Sequence, residues 1–398
     1  MNLEIVKYSL ILGLMNAISA FAIDMYLPAM PTMASDLGAP ISSAQLTLTV
    51  YFLAFGVAQL FWGPLSDMFG RKLPIYLGLG LFFAASIGCA YAQDIETLIV
   101  LRFIQGVAAA GPMSIPRAII RDLYTGQKAT RMMSTLMLVF SVSPMLAPLL
   151  GSFVMEPFGW RGVFFAIAAC TILSLVMVGT LLPETLKPSD RRPFDMRTMF
   201  QSFGILLKDM NYLSLTFIGG LGMASFFTFL GSASFVYMEH FGLDPTQFAI
   251  AFAANAAGFF VTSQFAANLM GIAGPKKLIF VATIGYAIMV GGLLSIFALG
   301  MGTLPIMIAM FIVANGFMGL IIPTSMVLAL EDHGPIAGAA ASLGGTLQML
   351  SGSLAMAISA MFFDGTPVPM LVVIVACALG ALALAIMSNR RGTPAIAE

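Results

Sequence analysis

Long apolar runs alternate along the chain with short segments rich in glycine, proline and charged residues. A run of roughly 20 apolar residues is long enough to cross the hydrocarbon core of a bilayer as a helix. The breaks should lie at the water boundary, because an irregular backbone facing lipid would leave polar groups without hydrogen bonds. The pattern therefore predicts an all-α membrane protein with twelve spans, at 8–30, 43–66, 74–92, 97–120, 131–154, 160–182, 211–237, 246–270, 277–297, 303–328, 336–362 and 367–388.

The longest polar stretch, 183–210, divides the chain into two halves of six predicted spans each. We expect an N-terminal six-helix bundle over 1–182, a linker over 183–210 and a C-terminal six-helix bundle over 211–398. A weak internal repeat supports this division, since the segment DMFGRK at 67–72 has an echo, GIAGPK, at 271–276. Two six-helix halves joined by a loop form an architecture of secondary transporters.

Composition agrees with a membrane protein, because only 9% of the 398 residues are charged, against about 25% in ordinary soluble domains. The 18 basic and 18 acidic residues balance, so net charge indicates no nucleic-acid partner. The three cysteines lie in apolar runs without metal-ligand spacing, and we expect no metal and no cofactor. The sequence also lacks a phosphate-binding loop and a catalytic constellation, so an enzyme is not expected.

The placement of lysine and arginine predicts the orientation of the chain, because cytoplasmic loops carry an excess of both. Arg161 alone falls on one side of the membrane, and Arg102 and Arg117 fall within a span. The other fifteen basic residues fall on the side that carries both termini. Both termini are therefore expected in the cytoplasm, with the first span retained. The fifteen basic residues on this side are Lys7, Arg71, Lys72, Arg121, Lys128, Arg131, Lys187, Arg191, Arg192, Arg197, Lys208, Lys276, Lys277, Arg390 and Arg391.

Asp24 is the one acid predicted well inside a span. A carboxylate in lipid is costly, so Asp24 should face a cavity or a partner, and burial makes it a candidate to bind and release protons near neutral pH. The alternative is a structural acid that bonds backbone groups freed by Pro28 and Pro31. Arg102 lies in the fourth span near its external end, where a surface salt bridge with Asp94 or Glu96 is the simpler interpretation.

Three stretches resemble a known family. GPLSDMFGRK (63–72) resembles the loop signature of the major facilitator superfamily. FAIDMYLPAMP (21–31) resembles the first-span signature of the Bcr/CflA-type drug:proton antiporters, and LRFIQGVAAAG (101–111) resembles the fourth-span motif of proton-coupled members. APLLGS (147–152) departs from the fifth-span antiporter motif, because alanine and serine stand at two of its glycine positions.

The resemblance implies a major facilitator fold that exports drugs or similar amphipathic molecules across the bacterial inner membrane by alternating access. The proton gradient would supply the energy, and the protein would work as a monomer. Asp24 would be the proton-responsive acid and Arg102 would tune its protonation. Some relatives carry a second acid where this chain has Asn16. A proton-coupled transporter of a small endogenous metabolite, exporter or symporter, remains the alternative.

The resemblance also assigns a conformational latch between the halves to the polar loop, with a solvated charge cluster as the alternative. The latch residues are Gly63, Asp67, Gly70, Arg71, Lys72, Arg121 and Asp122. Pro144, Pro148 and Gly151 in the fifth span fit either a rocking hinge or ordinary tight packing.

Aromatic side chains with sparse amides suit an adaptable pocket for an apolar ligand, although each could equally serve packing. The predicted substrate-binding residues are Asn16, Tyr26, Phe226, Tyr237, Asn255, Phe259, Asn315 and Gln348.

Overall fold

The computed structural model describes residues 3–191 and 195–390, and the regular elements within these ranges are helices. The prediction of an all-α membrane protein is confirmed for these residues. Arg192 and Arg391 of the predicted cytoplasmic group lie outside the described residues, as does the side chain of Arg390.

Within the described residues, the first half contains six α-helices before the polar linker. They are α1 (Leu3–Asp24), α2 (Met30–Asp36), α3 (Ile41–Phe69), α4 (Lys72–Tyr91), α5 (Ile95–Leu123) and α6 (Gly126–Leu181).

The first predicted span, 8–30, is not one continuous helix. It is interrupted after Asp24 by a 3₁₀ turn, Leu27–Ala29, before α2 resumes. Pro28 and Pro31 explain the break, because each lacks the N–H that an α-helix would use at its position. Asp24 therefore stands at a helix end inside the apolar region.

Helix α6 covers two predicted spans in 56 residues. Its backbone leaves the helical region at Gly159, with φ 65° and ψ −174°, between the predicted spans 131–154 and 160–182. Residues with a side chain rarely adopt such a positive φ, so glycine is the natural residue for this break.

The second half begins with a helix that the sequence pattern did not predict. Helix α7 (Met196–Leu206) lies inside the predicted linker. The spanning helices follow as α8 (Met210–Ser234), which continues into a π-helical turn (Phe235–His240), α9 (Pro245–Ala273), α10 (Pro275–Ala298), α11 (Leu304–Glu331), α12 (Ala337–Met361) and α13 (Pro367–Arg390).

Within the described residues, ten segments are long and apolar enough to cross a membrane. One of them, α6, contains two predicted spans. Helix α12 has 25 residues, and its glycines, serines, threonine and glutamine lower its hydropathy below that of the others. Together they account for the twelve predicted positions.

The chain divides into two compact units. One contains Met1–Asp195 with Ala233–Ala253, and the other contains Met196–Ser232 with Ala254–Glu398. In the first unit, α3 packs on α5, α1 on α6, and α4 on both α5 and α6. In the second, α10 packs on α11 and α13, and α12 packs on α11 and α7. The predicted domain boundaries at 182 and 211 stay a prediction.

The internal repeat is visible in the backbone at two glycines. Gly70 (φ 89°) lies two residues before α4, Gly274 (φ 79°) lies immediately before α10, and both have positive φ. These are the two glycines that the loop at 67–72 and its echo at 271–276 align.

Close helix contacts at two other glycines position the candidate site. Gly106 of α5 lies against the carbonyl group of Tyr51 in α3, and Gly151 of α6 lies against the carbonyl group of Met25. A methyl group at either position would clash with a backbone that cannot rotate away. These glycines let α5 and α6 approach the residues that surround Asp24.

Candidate functional site

Arg102 is fully buried and lies between two tyrosine rings. Its guanidinium carbon is 4.7 Å from the ring centroid of Tyr26 and 4.5 Å from that of Tyr51. One terminal nitrogen donates to the carbonyl of Ala22 at 3.0 Å and to Oε1 of Gln105 at 2.6 Å. We call Arg102, Tyr26, Tyr51 and Gln105 the arginine cage. Its aromatic faces stabilise a cation away from water.

The simpler interpretation of Arg102, a surface salt bridge, is wrong because the residue is fully buried. Asp94 instead caps the start of α5, where its carboxylate accepts from the N–H of Thr97 at 2.7 Å and from its hydroxyl at 2.9 Å. These bonds hold the pKa of Asp94 below its usual value. Arg102 lies two turns further along α5, on its buried side.

Neighbouring helices hold the polar ends of the cage. The Tyr26 hydroxyl is 2.9 Å from Oγ1 of Thr47, and the Tyr51 hydroxyl donates to the carbonyl of Ser19 at 3.2 Å. Gln105 donates to Oγ of Ser86 at 2.8 Å. The cage is thereby fixed to α1, α3 and α4. Sequence reasoning missed Tyr51 and Gln105 as site residues, although Gln105 follows Arg102 by one helical turn.

Asp24 is only 5% exposed. None of the described residues forms an ion pair or a hydrogen bond with its carboxylate, so the predicted alternative of bonds to backbone freed by Pro28 and Pro31 is not observed. The carbonyl that Arg102 binds belongs to Ala22, two residues before Asp24.

Asn16 stands where some relatives are expected to carry a second acid. It is buried, and its amide donates to the carbonyl of Leu136 in α6 at 3.4 Å. This contact ties α1 to α6.

A second group of charges surrounds Arg71, which is 2% exposed. Its Nε and one terminal nitrogen donate to the two carboxylate oxygens of Asp122 at 2.7 and 3.2 Å. The other terminal nitrogen donates to Asp67 at 2.5 Å and to Oγ of Ser66 at 2.7 Å. Burial opposes the charge of Arg71, but the carboxylates of Asp122 and Asp67 outweigh it, so the pKa of Arg71 rises above its ordinary value.

Glu184, which sequence reasoning missed, joins this group from the far end of the first half. Its carboxylate accepts from the N–H groups of Arg71 at 2.9 Å, Lys72 at 3.1 Å and Leu186 at 3.0 Å. Since α4 begins at Lys72, the carboxylate satisfies N–H groups that have no partner inside the helix. Burial works against the charged form, but these donors outweigh it and hold the pKa of Glu184 below its usual value.

Gly70 makes room for Glu184. Its φ of 89° turns the chain before α4, and an added methyl group there would lie 2.7 Å from the Glu184 carboxylate. Thr185 also contributes, since its hydroxyl donates to Asp122 at 3.1 Å. We call Ser66, Asp67, Arg71, Asp122, Glu184 and Thr185 the loop network.

The remaining predicted latch residues have other surroundings. The Lys72 ammonium donates to the carbonyl of Gly179 at 3.4 Å, and Arg121 is exposed. Gly63 lies inside α3, where its carbonyl accepts from Ser66 at 2.8 Å. Pro144 and Pro148 lie inside α6, while Gly151 packs tightly on Met25. Tight packing is therefore observed at Gly151, and the hinge stays a prediction.

The predicted substrate-binding residues of the second half are distributed over several helices. Asn315 of α11 donates to the backbone carbonyl of Asn255 in α9 at 3.3 Å, and both are buried. Gln348 of α12 lies beside Gly219 of α8. Phe226 and Phe259 are half-buried, and Tyr237 is fully buried with its ring centroid 6.0 Å from that of Phe248. The substrate role of these residues stays a prediction.

The apolar helices, the repeated loop and the charges buried among the spans together define a secondary transporter. The family model for the Major Facilitator Superfamily matches residues 12–356. The chain therefore belongs to this superfamily, and it is a transporter rather than an enzyme.

Individual proteins agree with this assignment. The chain is 31% identical over 393 residues to the uncharacterized MFS-type transporter YdgK of Bacillus subtilis, covering 98% of this chain and 97% of YdgK. It is 29% identical to the bicyclomycin resistance protein homolog of Haemophilus influenzae, covering 93% of each. Its fold matches the xylose transporter XylE of E. coli with a TM-score of 0.74 at 13% identity, covering 99% of each chain.

Proposed function

We propose that this protein exports drugs or similar amphipathic molecules in exchange for protons, by alternating access. One observation carries the proton part of this proposal. Asp24 is a buried carboxylate without an ion pair among the described residues, two residues after the carbonyl of Ala22 that the caged arginine binds. A charge that is expensive to bury and has no fixed partner is suited to neutralisation by a proton.

Arg102 gives a physical means of coupling. Burial disfavours the ionised form of Asp24, and a nearby cation favours it. Within the described structure, Nε and one terminal nitrogen of Arg102 make no hydrogen bond, so donors remain for a carboxylate that moves closer. A change of shape that alters the separation of Arg102 and Asp24 would then load or release a proton. Exchange requires only that the two states differ in proton and substrate affinity.

The substrate class rests on a named relative and on the residue types in the predicted substrate-binding group. The Haemophilus influenzae relative is named for bicyclomycin resistance. Phe226 and Phe259 are half-buried apolar side chains, and Asn255 and Asn315 add sparse amides, a combination that suits an amphipathic ligand.

For the location, we propose a monomer in the bacterial inner membrane with both termini in the cytoplasm. The excess of lysine and arginine on one side supports this orientation. The loop network then lies on the cytoplasmic side, where it would act as one part of the latch.

The proposal is tested by proton release from the purified protein when a panel of amphipathic drugs is added. The wild type should release protons, and Asp24→Asn should not, because its amide cannot bind one at neutral pH. Asp36→Asn is the matched control, since Asp36 is an acid on the same segment that pairs with Arg161 at 2.7 Å outside the candidate site.

Equal proton release from the wild type and Asp24→Asn would contradict the assignment of Asp24. Drug binding without proton release by the wild type would contradict proton coupling. A panel without any binding would contradict the drug class and favour a small endogenous metabolite instead.

A further inference from the structure

Helix α7 (Met196–Leu206) contributes no residue to the candidate functional site. It lies outside the candidate spans and ends four residues before α8, which is one of them. A helix so close to the end of a span lies near the level of the membrane surface. Its side chains divide into distinct faces.

The first face packs on the protein. Ser202, Phe203 and Leu206 are buried, and α7 packs against α12. The Phe203 ring meets the Phe200 ring edge to face, with centroids 6.2 Å apart. This face fixes the rotation of the helix about its axis.

The second face is apolar and exposed. Met196 and Phe200 follow helical spacing with Leu207, which lies one residue beyond α7 and still donates its N–H to the Phe203 carbonyl at 2.9 Å. The three side chains are 46%, 57% and 50% exposed, respectively. Together they form a continuous apolar strip beside the packed face. Such a strip is unfavourable in water, and exposed apolar strips of this kind mark interaction surfaces.

The third face is basic. Arg197 and Gln201 of α7, with Lys208 in the turn that follows it, lie next to the apolar strip on the side away from the packed face, and all three are exposed. An apolar strip bordered by cations is the pattern of a helix that lies in a membrane interface. Ile205 and Thr198 occupy the remaining side, opposite the apolar strip.

We propose that α7 lies in the bilayer interface and binds anionic lipid headgroups. Met196, Phe200 and Leu207 enter the acyl-chain boundary, and Arg197 and Lys208 contact the headgroups. The leaflet is the cytoplasmic one if the proposed orientation holds. Anionic headgroups complement the charge of the two cations that border the strip entering the membrane.

The first test measures depth by spin labelling of the full-length protein in phosphatidylglycerol-containing vesicles. Cys89, Cys170 and Cys377 are replaced by alanine, and one new cysteine carries a nitroxide. Phe200→Cys and Ile205→Cys form a matched pair, since the native side chains are 57% and 58% exposed on different sides of α7. A single gel-filtration peak and a Tm close to that of the unlabelled protein verify that each labelled variant is folded.

The label at position 200 should be more accessible to oxygen, which concentrates in lipid, than to a water-soluble nickel chelate. The label at 205 should show the opposite preference. A preference for the nickel chelate at 200, or the same preference at both positions, would overturn the interfacial placement. Proton release is not part of this measurement, so its outcome is independent of the proposed transport activity.

The second test addresses headgroup charge. In the Phe200→Cys background, the double substitution Arg197→Gln with Lys208→Gln should lower the oxygen-to-nickel ratio at least twofold in phosphatidylglycerol vesicles. Phosphatidylcholine vesicles should lower it similarly without any substitution. Lys128→Gln, an exposed cation on α6, is the matched control and should leave the ratio unchanged. A ratio insensitive to both lipid charge and the double substitution would exclude anionic headgroups as the partner.

Discussion

At the scale of the residue, the arginine cage shows how a charge is accommodated deep in the protein. Tyr26 and Tyr51 cover the two faces of the Arg102 guanidinium, and Ala22 and Gln105 accept from one edge. A cation over an aromatic ring is worth about 2 kcal/mol when both are removed from water. The planar shape of the guanidinium is essential, because only a flat cation stacks on two rings at once.

We predict that Arg102→Lys lowers the free energy of unfolding by about 1–2 kcal/mol, since an ammonium group keeps the charge but loses the stacking. Thermal unfolding in detergent measures the change. Arg161→Lys is the control, because Arg161 also stacks on a ring, that of Trp160 at 4.1 Å, but is partly exposed. Arg161→Lys should lower the free energy of unfolding by less than about 1 kcal/mol. An equal loss at Arg102 and Arg161 would refute a stronger stacking contribution in the cage.

Glu184 leads to a pH-dependent prediction. Its pKa is held below the ordinary value in the folded protein. A group with a depressed folded pKa contributes stability above its unfolded pKa, which is about 4.3, and loses it as the pH falls through the folded pKa. The Tm of Glu184→Gln should therefore be lower than that of the wild type at pH 7, and the difference should disappear in acid.

The measurement is Tm against pH for both proteins. Glu156→Gln, at an exposed position of α6, should show little difference at any pH. A difference for Glu184→Gln that persists unchanged well below pH 4 would contradict the role of its charge.

At the scale of the element, the helices could be predicted because their signal is local. A run of apolar residues identifies a span without reference to any distant residue. The same pattern could not predict the 3₁₀ turn at Leu27–Ala29, because the run stays apolar through Pro28. It also missed α7, since a helix in a polar linker lacks the length and hydropathy of a span.

The candidate site was only partly predictable for a related reason. Asp24 and Arg102 were recognisable because a charge in an apolar run is conspicuous. Tyr51 is one aromatic residue among many, and its place beside Arg102 follows from the packing of α3 on α5. Glu184 lies 113 residues from Arg71, and no spacing along the chain relates them.

Helix packing around the cage gives a third prediction. Gly106→Ala should lower Tm and weaken drug-induced proton release, because a methyl group would displace α5 from the Tyr51 carbonyl and move Arg102. Gly80→Ala in α4 is the matched control, since no atom lies within 4 Å of the added methyl group. Alanine favours a helix over glycine, so Gly80→Ala should leave Tm unchanged or raise it. Similar losses from both variants would show that close packing at Gly106 is not the cause.

At the scale of the whole molecule, the loop network joins three separate parts of the first half. Asp67 lies at the end of α3, Asp122 lies at the end of α5, and Glu184 lies in the segment after α6. Arg71 contacts all three, through its side chain or its backbone. Charge-assisted and bidentate hydrogen bonds of this kind are among the stronger ones in proteins.

If this network acts in the predicted latch, Asp67→Asn should shift the population toward the inward-facing state, since a neutral amide holds a charged partner less strongly. The measurement is the labelling rate of a reporter cysteine on the cytoplasmic side. Asp190→Asn serves as control, because Asp190 is exposed and bonds Ser189 outside the network. Equal labelling of Asp67→Asn and wild type would count against the latch.

The hydrogen bonds of Glu184 to the start of α4 also limit how many residues are available to connect the halves. Glu184 binds the N–H of Leu186 as well as those of Arg71 and Lys72, so the chain through Leu186 is attached to the first unit. The segment from Lys187 to Asp195, which we call the tether, leads from Leu186 to the start of α7 at Met196. Fully extended, the chain from Leu186 to Met196 spans about 35 Å, which is a mechanical upper limit on the separation of these two points. Loss of the hydrogen bond between Leu186 and Glu184 would add residues 185 and 186 to the tether without any insertion in the chain.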